Sequence, residues 1–173
     1  MKWQPFEHAG QVFDLSHLDS FEHRFVQTAE PEKPERTYRV FVHFSDHCFT
    51  QGDETDAVYP TKTTAPRSFN DLRWKLSFYL PNIIKTLMNR HVSHTDHQNF
   101  FTIEIMNENG EQFDYDVFFE VRRAENDKRL HLVVQTAFPR DATRSSSRPK
   151  SDKIRFITIL HNAQNRKLIK RSR

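Results

Sequence analysis

The chain has 173 residues, of which only 36% are hydrophobic and sixteen are phenylalanine, so we expect one domain with an aromatic-rich core and a very polar surface. Its three glycines exclude a glycine-lined phosphate loop, and its single cysteine, Cys48, excludes an internal disulfide. The net charge is +3, but it is unevenly distributed along the chain. Residues 139–173 hold eleven Lys/Arg and two Asp/Glu, whereas residues 1–138 hold fifteen Lys/Arg and twenty-one Asp/Glu. The basic C-terminal end could therefore contact a polyanion, an acidic partner or the acidic body of the protein itself.

The first third of the chain predicts strands. Residues 1–36 carry short apolar pieces that could form one or two strands interrupted by a turn at Ser16–Ser20, followed by an exposed turn or hairpin loop at residues 29–36. In residues 37–45, apolar and polar side chains alternate, which is typical of a strand with one buried face. This is the clearest early strand.

The middle of the chain predicts a long exposed loop followed by a helix. Residues 46–66 are rich in turn formers, so we expect a loop. Ser68 has the chemistry of a helix N-cap, and apolar residues then recur at spacings of three and four as far as Arg90. Pro81 cannot donate a backbone hydrogen bond and should kink this helix or split it in two.

The last part of the chain predicts a β-meander and a basic end. Residues 91–99 should be a connection, residues 100–136 alternate as three strands joined by turns, and residues 139–152 should be a flexible basic loop. Lys153–His161 returns to alternation and predicts a final strand. The whole order predicts an α+β fold with one amphipathic helix, kinked at proline, on a curved and mainly antiparallel sheet.

We expect a single domain over residues 1–163 and a basic C-terminal tail over residues 164–173. The many cations near the end of the chain favour contact with a nucleic-acid backbone, whose affinity should fall steeply as salt rises. The candidate nucleic-acid-binding residues are Arg122, Arg123, Arg140, Arg144, Arg148, Lys150, Lys153, Arg166, Lys167, Lys170 and Arg171. Alternatively, these side chains are simply solvated, or the tail neutralises the acidic body.

Histidines suggest a second kind of chemistry. His43, His47 and Cys48 lie close together in sequence and could ligate zinc, but a structural zinc site usually needs four such ligands. His91, His94 and His97 would align only on a helix, and their segment has the composition of a loop. We therefore expect ordinary surface or capping histidines, a buried cysteine, and no metal or other cofactor.

Four polar residues of the predicted sheet could cleave RNA without a metal. His131 and Gln135 share one predicted strand, and Arg155 and His161 share the last. RNA cleavage needs a base for the 2′-hydroxyl, a cation for the phosphate and a donor to the leaving oxygen, which histidine and arginine can supply. Polar residues are, however, the norm on an exposed sheet face.

Two family resemblances follow from these strands. RLHLVVQTAF, a polar basic loop and KIRFITIL are similar in layout to the closing strands of RelE/BrnT-like bacterial toxins, which are ribonucleases. HFSDHCFT, RSFNDLRWKLSFYLPNIIKTL and YDVFFEVRR, taken with those strands, resemble small bacterial proteins of phage or plasmid-like elements labelled stationary-phase growth adaptation proteins.

The sequence thus predicts a cytoplasmic protein that binds nucleic acid, RNA being favoured, with a toxin-like metal-independent ribonuclease as one form of that activity. The alternative is a non-catalytic module that docks a protein partner or a second copy of itself. We expect no membrane segment, because no stretch approaches eighteen apolar residues.

Overall fold

The fold is described from a computed structural model. It describes residues 1–29, 31–32, 34–52, 56–61, 65–94, 99–106, 110, 112–125, 129–140 and 152–168. For residues 91, 99–106, 112, 113 and 152, only the backbone is described.

Strands and three short α-helices make up the part of the chain that the structure describes. The strands are β1 Phe6–His8, β2 Gln11–Phe13, β3 Phe21–Gln27, β4 Arg36–Phe44, β5 Thr50–Gln51, β6 Val58–Tyr59, β7 Arg67–Phe69, β8 His91–His94, β9 Asn99–Met106, β10 Gln112–Arg123, β11 Leu130–Pro139 and β12 Asp152–Arg155. The helices are α1 Asp71–Ser77, α2 Leu80–Lys85 and α3 Phe156–Gln164. This confirms the predicted α+β class.

Within the described residues, the main sheet has seven strands in the order β12-β8-β9-β10-β11-β4-β3. Every neighbouring pair is antiparallel except β11 and β4, which run parallel. A two-stranded sheet of β1 and β2 and a three-stranded sheet of β5, β7 and β6 complete the fold. The sheet is therefore mainly antiparallel, as predicted, with one parallel contact that local sequence patterns do not specify.

The predicted strand at residues 37–45 is confirmed by β4. Tyr38, Val40, Val42 and Phe44 are all buried on one face, because successive side chains of a strand point to opposite faces. Leu130, Leu132 and Val134 of the parallel neighbour β11 are buried on the same side. We call this side the core face of the sheet and the other side the open face.

The predicted helix from Ser68 to Arg90 is two helices, and its start was placed too early. Ser68 lies in β7, and Asn70 is the N-cap of α1, its side-chain oxygen accepting from the backbone N–H of Arg73 at 2.8 Å. The chain then breaks between α1 and α2 beside Pro81. Proline is tolerated there because the first turn of a helix has no partner for that N–H anyway.

The predicted last strand, Lys153–His161, was wrong beyond Arg155, where α3 begins. Phe156, Ile159 and Leu160 are buried at helical spacing, and such a short apolar run fits either period. Phe156 packs edge-on against Phe25 on the core face, with ring centroids 5.0 Å apart, and this packing favours the helix. The core face is thus covered by a second helical element that the sequence analysis did not expect.

Two predicted connections also contain strands. The expected loop at residues 46–66 includes β5, β6 and a short 3₁₀ turn at Asp46–Cys48, and Cys48, Phe49 and Thr50 are buried. The expected connection at residues 91–99 contains β8, which pairs with β12 and β9. No helix in the part of the chain described above is long and apolar enough to cross a bilayer.

Candidate nucleic-acid interface

Two clefts meet around His161 on α3. The smaller has a volume of about 600 Å³ and the larger about 830 Å³, and both include Arg36 and His161. The smaller is also lined by Thr37, Tyr38, Arg39, Arg129, Gln164 and Asn165. The larger is also lined by Val26, Gln27, Thr28, Met88, Asn89, Arg90, Arg155, Ile157 and Thr158. We call the two together the His161 cleft.

The His161 cleft is strongly cationic. Among its described lining residues there is no Asp or Glu. None of the ion pairs formed between described residues includes Arg36, Arg90 or Arg155. The Nε of Arg90 is in addition buried without a hydrogen-bond partner in the described part of the chain. Arg39, which also lines the cleft, pairs with Glu22 at 3.0 Å, so an external anion is favoured as the partner of Arg36, Arg90 and Arg155.

Arg36 fixes the orientation of His161. A guanidinium nitrogen of Arg36 donates to Nδ1 of His161 at 3.0 Å, and the hydroxyl of Tyr38 lies 3.5 Å from the same atom. A guanidinium has only donors, so Nδ1 accepts, while the amide nitrogen of Asn165 lies 3.4 Å from Nε2. The ring of His161 is therefore held beside an arginine whose guanidinium suits a phosphate.

Three of the predicted basic residues near α3 hold the fold together. Arg123 donates to the carbonyl of Gln164 at 3.0 Å, where the C-terminal end of α3 carries partial negative charge. Arg166 adopts a positive φ of 54°, and Lys167 donates its backbone N–H to the carbonyl of Asn162, closing a Schellman cap. Lys153, by contrast, is exposed on β12 close to Arg155 of the cleft.

Arg140 lies at the other end of β11 and pairs with a carboxylate. Its Nε and Nη2 lie 3.1 and 2.5 Å from one oxygen of Asp116, whose side chain is buried on β10. Its backbone N–H also donates to the carbonyl of Asp114. Arg140 therefore neutralises an internal charge, a role that its position in a basic stretch of sequence does not reveal.

The open face carries the other predicted catalytic residues. His131 lies beside Arg122 of β10 and Phe41 of β4, and its Nδ1 is 3.1 Å from Nε2 of His43. Gln135 lies further along β11 and donates to Glu120 at 3.4 Å. Burial lowers the pKa of His43, and the neighbouring His131 adds to the effect. His43 is therefore held neutral near pH 7, so the contact is an ordinary imidazole–imidazole hydrogen bond.

The four residues predicted to be catalytic thus lie in two groups. His131 and Gln135 are on the open face, whereas Arg155 and His161 are in the cleft beside α3. The sequence analysis missed Arg36 and Arg90, which complete the cleft. Alternation along β4 places Arg36 on the same side as Tyr38 and offered a signal, but nothing near Arg90 did.

The metal and thiol candidates are separated in the structure. Burial raises the pKa of Cys48 to about 12, so this thiol is neutral and part of the core. His43 contacts Ser20 and His131 instead of pairing with His47. No cluster of three or more His, Cys, Asp or Glu able to hold a metal ion occurs within the described ranges.

Several candidates cannot be placed. The predicted nucleic-acid-binding residues Arg144, Arg148, Lys150, Lys170 and Arg171 lie outside the described residues, as does His97.

Comparison with known proteins identifies the family. A family model described as the YjaZ family matches residues 5–164. The chain belongs to the YjaZ family. It is also 31% identical over 169 residues to Protein YjaZ of Escherichia coli strain K12, covering 93% of this chain and 90% of that relative. No solved structure matches.

Membership of the YjaZ family corrects both resemblances drawn from the strands. The family model and the relative from E. coli carry neither the RelE/BrnT toxin description nor the stationary-phase growth adaptation label. The apolar meander that suggested a toxin is a pattern that many antiparallel sheets share, so it does not distinguish families. The name of the relative states no activity.

Proposed function

We propose that this chain binds nucleic acid, with RNA favoured, through the His161 cleft. The observation that carries the proposal is the convergence of Arg36, Arg90, Arg155 and His161 on a cleft whose described lining has no carboxylate. Guanidinium groups can bind phosphate oxygens through two parallel hydrogen bonds. The geometry therefore suits the phosphates of a polyanion.

The cleft also has neutral hydrogen-bonding groups that suit ribose. Tyr38, Gln164 and Asn165 line its smaller part, and Thr158 lines the larger part. Hydroxyl and amide side chains can both donate to and accept from a 2′-hydroxyl, the group by which proteins tell RNA from DNA. These groups support RNA as the favoured ligand.

Salt-dependent binding tests the proposal directly. Fluorescence anisotropy with a labelled single-stranded RNA would be measured between about 50 and 200 mM salt, where each phosphate contact contributes a slope of about 0.7 for single strands. The double variant R36Q/R155Q should bind roughly tenfold more weakly at about 100 mM salt and show a shallower slope. A wild-type protein that binds neither RNA nor DNA at the lowest salt would overturn the proposal.

The matched control removes the same amount of charge elsewhere. Lys2 and Lys75 are exposed and lie outside the lining of the His161 cleft. The double variant K2Q/K75Q has the same net charge as R36Q/R155Q, so it separates a local effect from a general loss of positive charge. It should keep affinity within about twofold of wild type, since long-range screening weakens distant charges. Gel analysis of the bound RNA decides between binding alone and cleavage.

A second candidate function, self-association, is favoured by a different observation. Leu72, Phe78 and Tyr79, at and beside the junction of α1 and α2, are exposed to 37%, 47% and 40%. Large apolar side chains exposed together often mark interaction surfaces. Light scattering across protein concentration tests this: L72E/F78E should reduce the mass if the surface joins two copies, and a mass of one chain at every concentration contradicts it.

A further inference from the structure

The open face of the main sheet carries a compact group of aromatic rings. Phe41, His43 and His131 are partly exposed, on β4 and β11. Their ring centroids lie 4.9 Å apart for Phe41 and His43, 5.3 Å for the two histidines, and 6.0 Å for Phe41 and His131. We call these three residues the ring trio. It lies on the opposite side of the sheet from the apolar core that packs against α3.

Hydrogen bonds hold the ring trio in place. Nε2 of His43 lies 3.1 Å from Nδ1 of His131, and Nδ1 of His43 lies 3.0 Å from the hydroxyl of Ser20. The two imidazole planes differ by only 6°. A stacking surface whose rings are already oriented loses little conformational entropy when it binds a flat ligand.

The parallel register places arginines beside these rings. Phe41 and His131 are direct partners, and Arg39 and Arg129 each lie two residues before them on the same side of their strands. On the far side of His131, β10 supplies Arg122. Glu22 is the acidic neighbour on β3 and pairs with Arg39 at 3.0 Å, while Glu120 contacts Gln135.

The ring trio connects with the His161 cleft through two of these arginines. Arg39 and Arg129 line the smaller part of the cleft, together with Arg36 and His161. Two residues along a strand span about 6.6 Å, which is roughly the length of one extended nucleotide. A strand of nucleic acid leaving the cleft would therefore meet the rings within about one nucleotide.

We propose that a base of single-stranded nucleic acid stacks on the ring trio while the neighbouring phosphates occupy the His161 cleft. This inference rests on the proposed nucleic-acid binding and names its ligand as unpaired. An aromatic surface next to a cationic groove is the arrangement by which proteins bind single strands with little sequence preference, because every base has a π-face. A duplex keeps its bases stacked on one another and cannot present one to the sheet.

The test separates stacking from phosphate binding. The probes are a labelled single-stranded RNA of about twelve nucleotides and the same RNA annealed to its complement. F41L keeps the bulk of the side chain but removes the π-system, and it should weaken binding of the single strand by about fivefold to a hundredfold. The salt slope should stay at the wild-type value, whereas R36Q/R155Q should reduce it.

Two further variants make the test independent of folding. F41W restores an aromatic face and should recover the affinity that F41L loses. V12A, the control, trims an apolar side chain that is 65% exposed on β2 and should bind as wild type does. Equal unfolding midpoints for the four proteins show that the fold is retained.

A fluorescent base gives the direct readout. A 2-aminopurine placed along the single strand should be quenched on binding to the wild type and to F41W, and less so to F41L. Salt-dependent binding that is unchanged in F41L, equal for duplex and single strand and without quenching would overturn the stacking inference and leave the proposed function standing. Absence of any salt-dependent binding by the wild type would overturn both.

Discussion

The arginines at the two ends of β11 differ in whether they pair with a carboxylate of the protein. At the end where the strand finishes, Arg140 is bound to the buried carboxylate of Asp116. At the end where the strand begins, the adjoining His161 cleft gathers Arg36 and Arg155, and its described lining has no carboxylate. Both ends are basic in sequence. The difference teaches that a cation marks a candidate binding site only where the fold leaves it without an internal counter-charge.

The largest expected effect is a loss of stability when the ion pair between Arg140 and Asp116 is removed. Arg140→Ala would remove the ion pair that Arg140 forms with the buried side chain of Asp116, so the free energy of unfolding should fall by about 3–5 kcal/mol. Urea unfolding measures this. Arg36→Ala is the control at the other end, and it should change stability by less than about 0.5 kcal/mol because Arg36 is exposed.

A second pair of arginines repeats the comparison within one strand. Arg123 donates to the carbonyl of Gln164, whereas the adjacent Arg122 is exposed on the open face. Arg123→Met should lower the free energy of unfolding by about 1–3 kcal/mol, because a charged hydrogen bond at the end of α3 is lost. Arg122→Met should leave stability nearly unchanged and weaken RNA binding. Equal stability of the two variants would contradict this division of roles.

A carboxylate introduced into the His161 cleft should pair with the arginines of the cleft, as Asp116 pairs with Arg140. Thr158 is exposed, lines the larger part of the cleft and is the third residue of α3. Thr158→Asp should weaken RNA binding by about tenfold, because the new charge repels phosphate and competes for the arginines. It should not destabilise the protein, since an acid in the first turn of a helix is favourable.

The neutral variant Thr158→Asn is the matched control for that experiment. It has nearly the same shape as aspartate, so it should keep affinity close to that of the wild type. If both variants weaken RNA binding equally, the effect is steric. The absence of carboxylates from the described lining would then not be what determines RNA binding.

The core face could be predicted from the sequence because burial imposes a local pattern. Tyr38, Val40 and Val42 alternate with polar residues, and β4 follows from that alone. The segment Phe156–Leu160 was assigned to the wrong element because its apolar residues fit both a strand and a helix. Its packing on Phe25 decides the outcome, and that contact spans more than a hundred residues of sequence.

The candidate site could be predicted only in part. Arg155 and His161 were identified as polar residues of the predicted last strand, but the cleft also needs Arg36 and Arg90 from distant segments. His43 and His131 were considered separately, because only the parallel pairing of β4 and β11 brings them together. Counting cations identifies a basic stretch, whereas the positions of the carboxylates decide which of its members can bind a ligand.

The smallest expected effect concerns an uncharged polar contact and depends on pH. Nε2 of His17 lies 2.7 Å from the hydroxyl of Ser77, and its ring stacks on Phe78 with centroids 3.7 Å apart. Burial lowers the pKa of His17, while the nearby Asp14 partly opposes the shift. The folded protein therefore resists protonation of His17, because the effect of burial outweighs the attraction of Asp14.

This shift predicts a loss of stability in acid. Because the pKa of His17 is lower in the folded protein than in the unfolded chain, the unfolded chain binds more protons in acid. The contribution of His17 to the free energy of unfolding is therefore complete above the unfolded pKa of about 6.5 and is lost as pH falls through the folded pKa. Urea unfolding between about pH 7 and pH 5 should show this decline. His17→Gln keeps a polar group beside Ser77 but cannot titrate, so its decline should be shallower. If His17→Gln and wild type decline in parallel, the burial of His17 does not account for the loss of stability in acid.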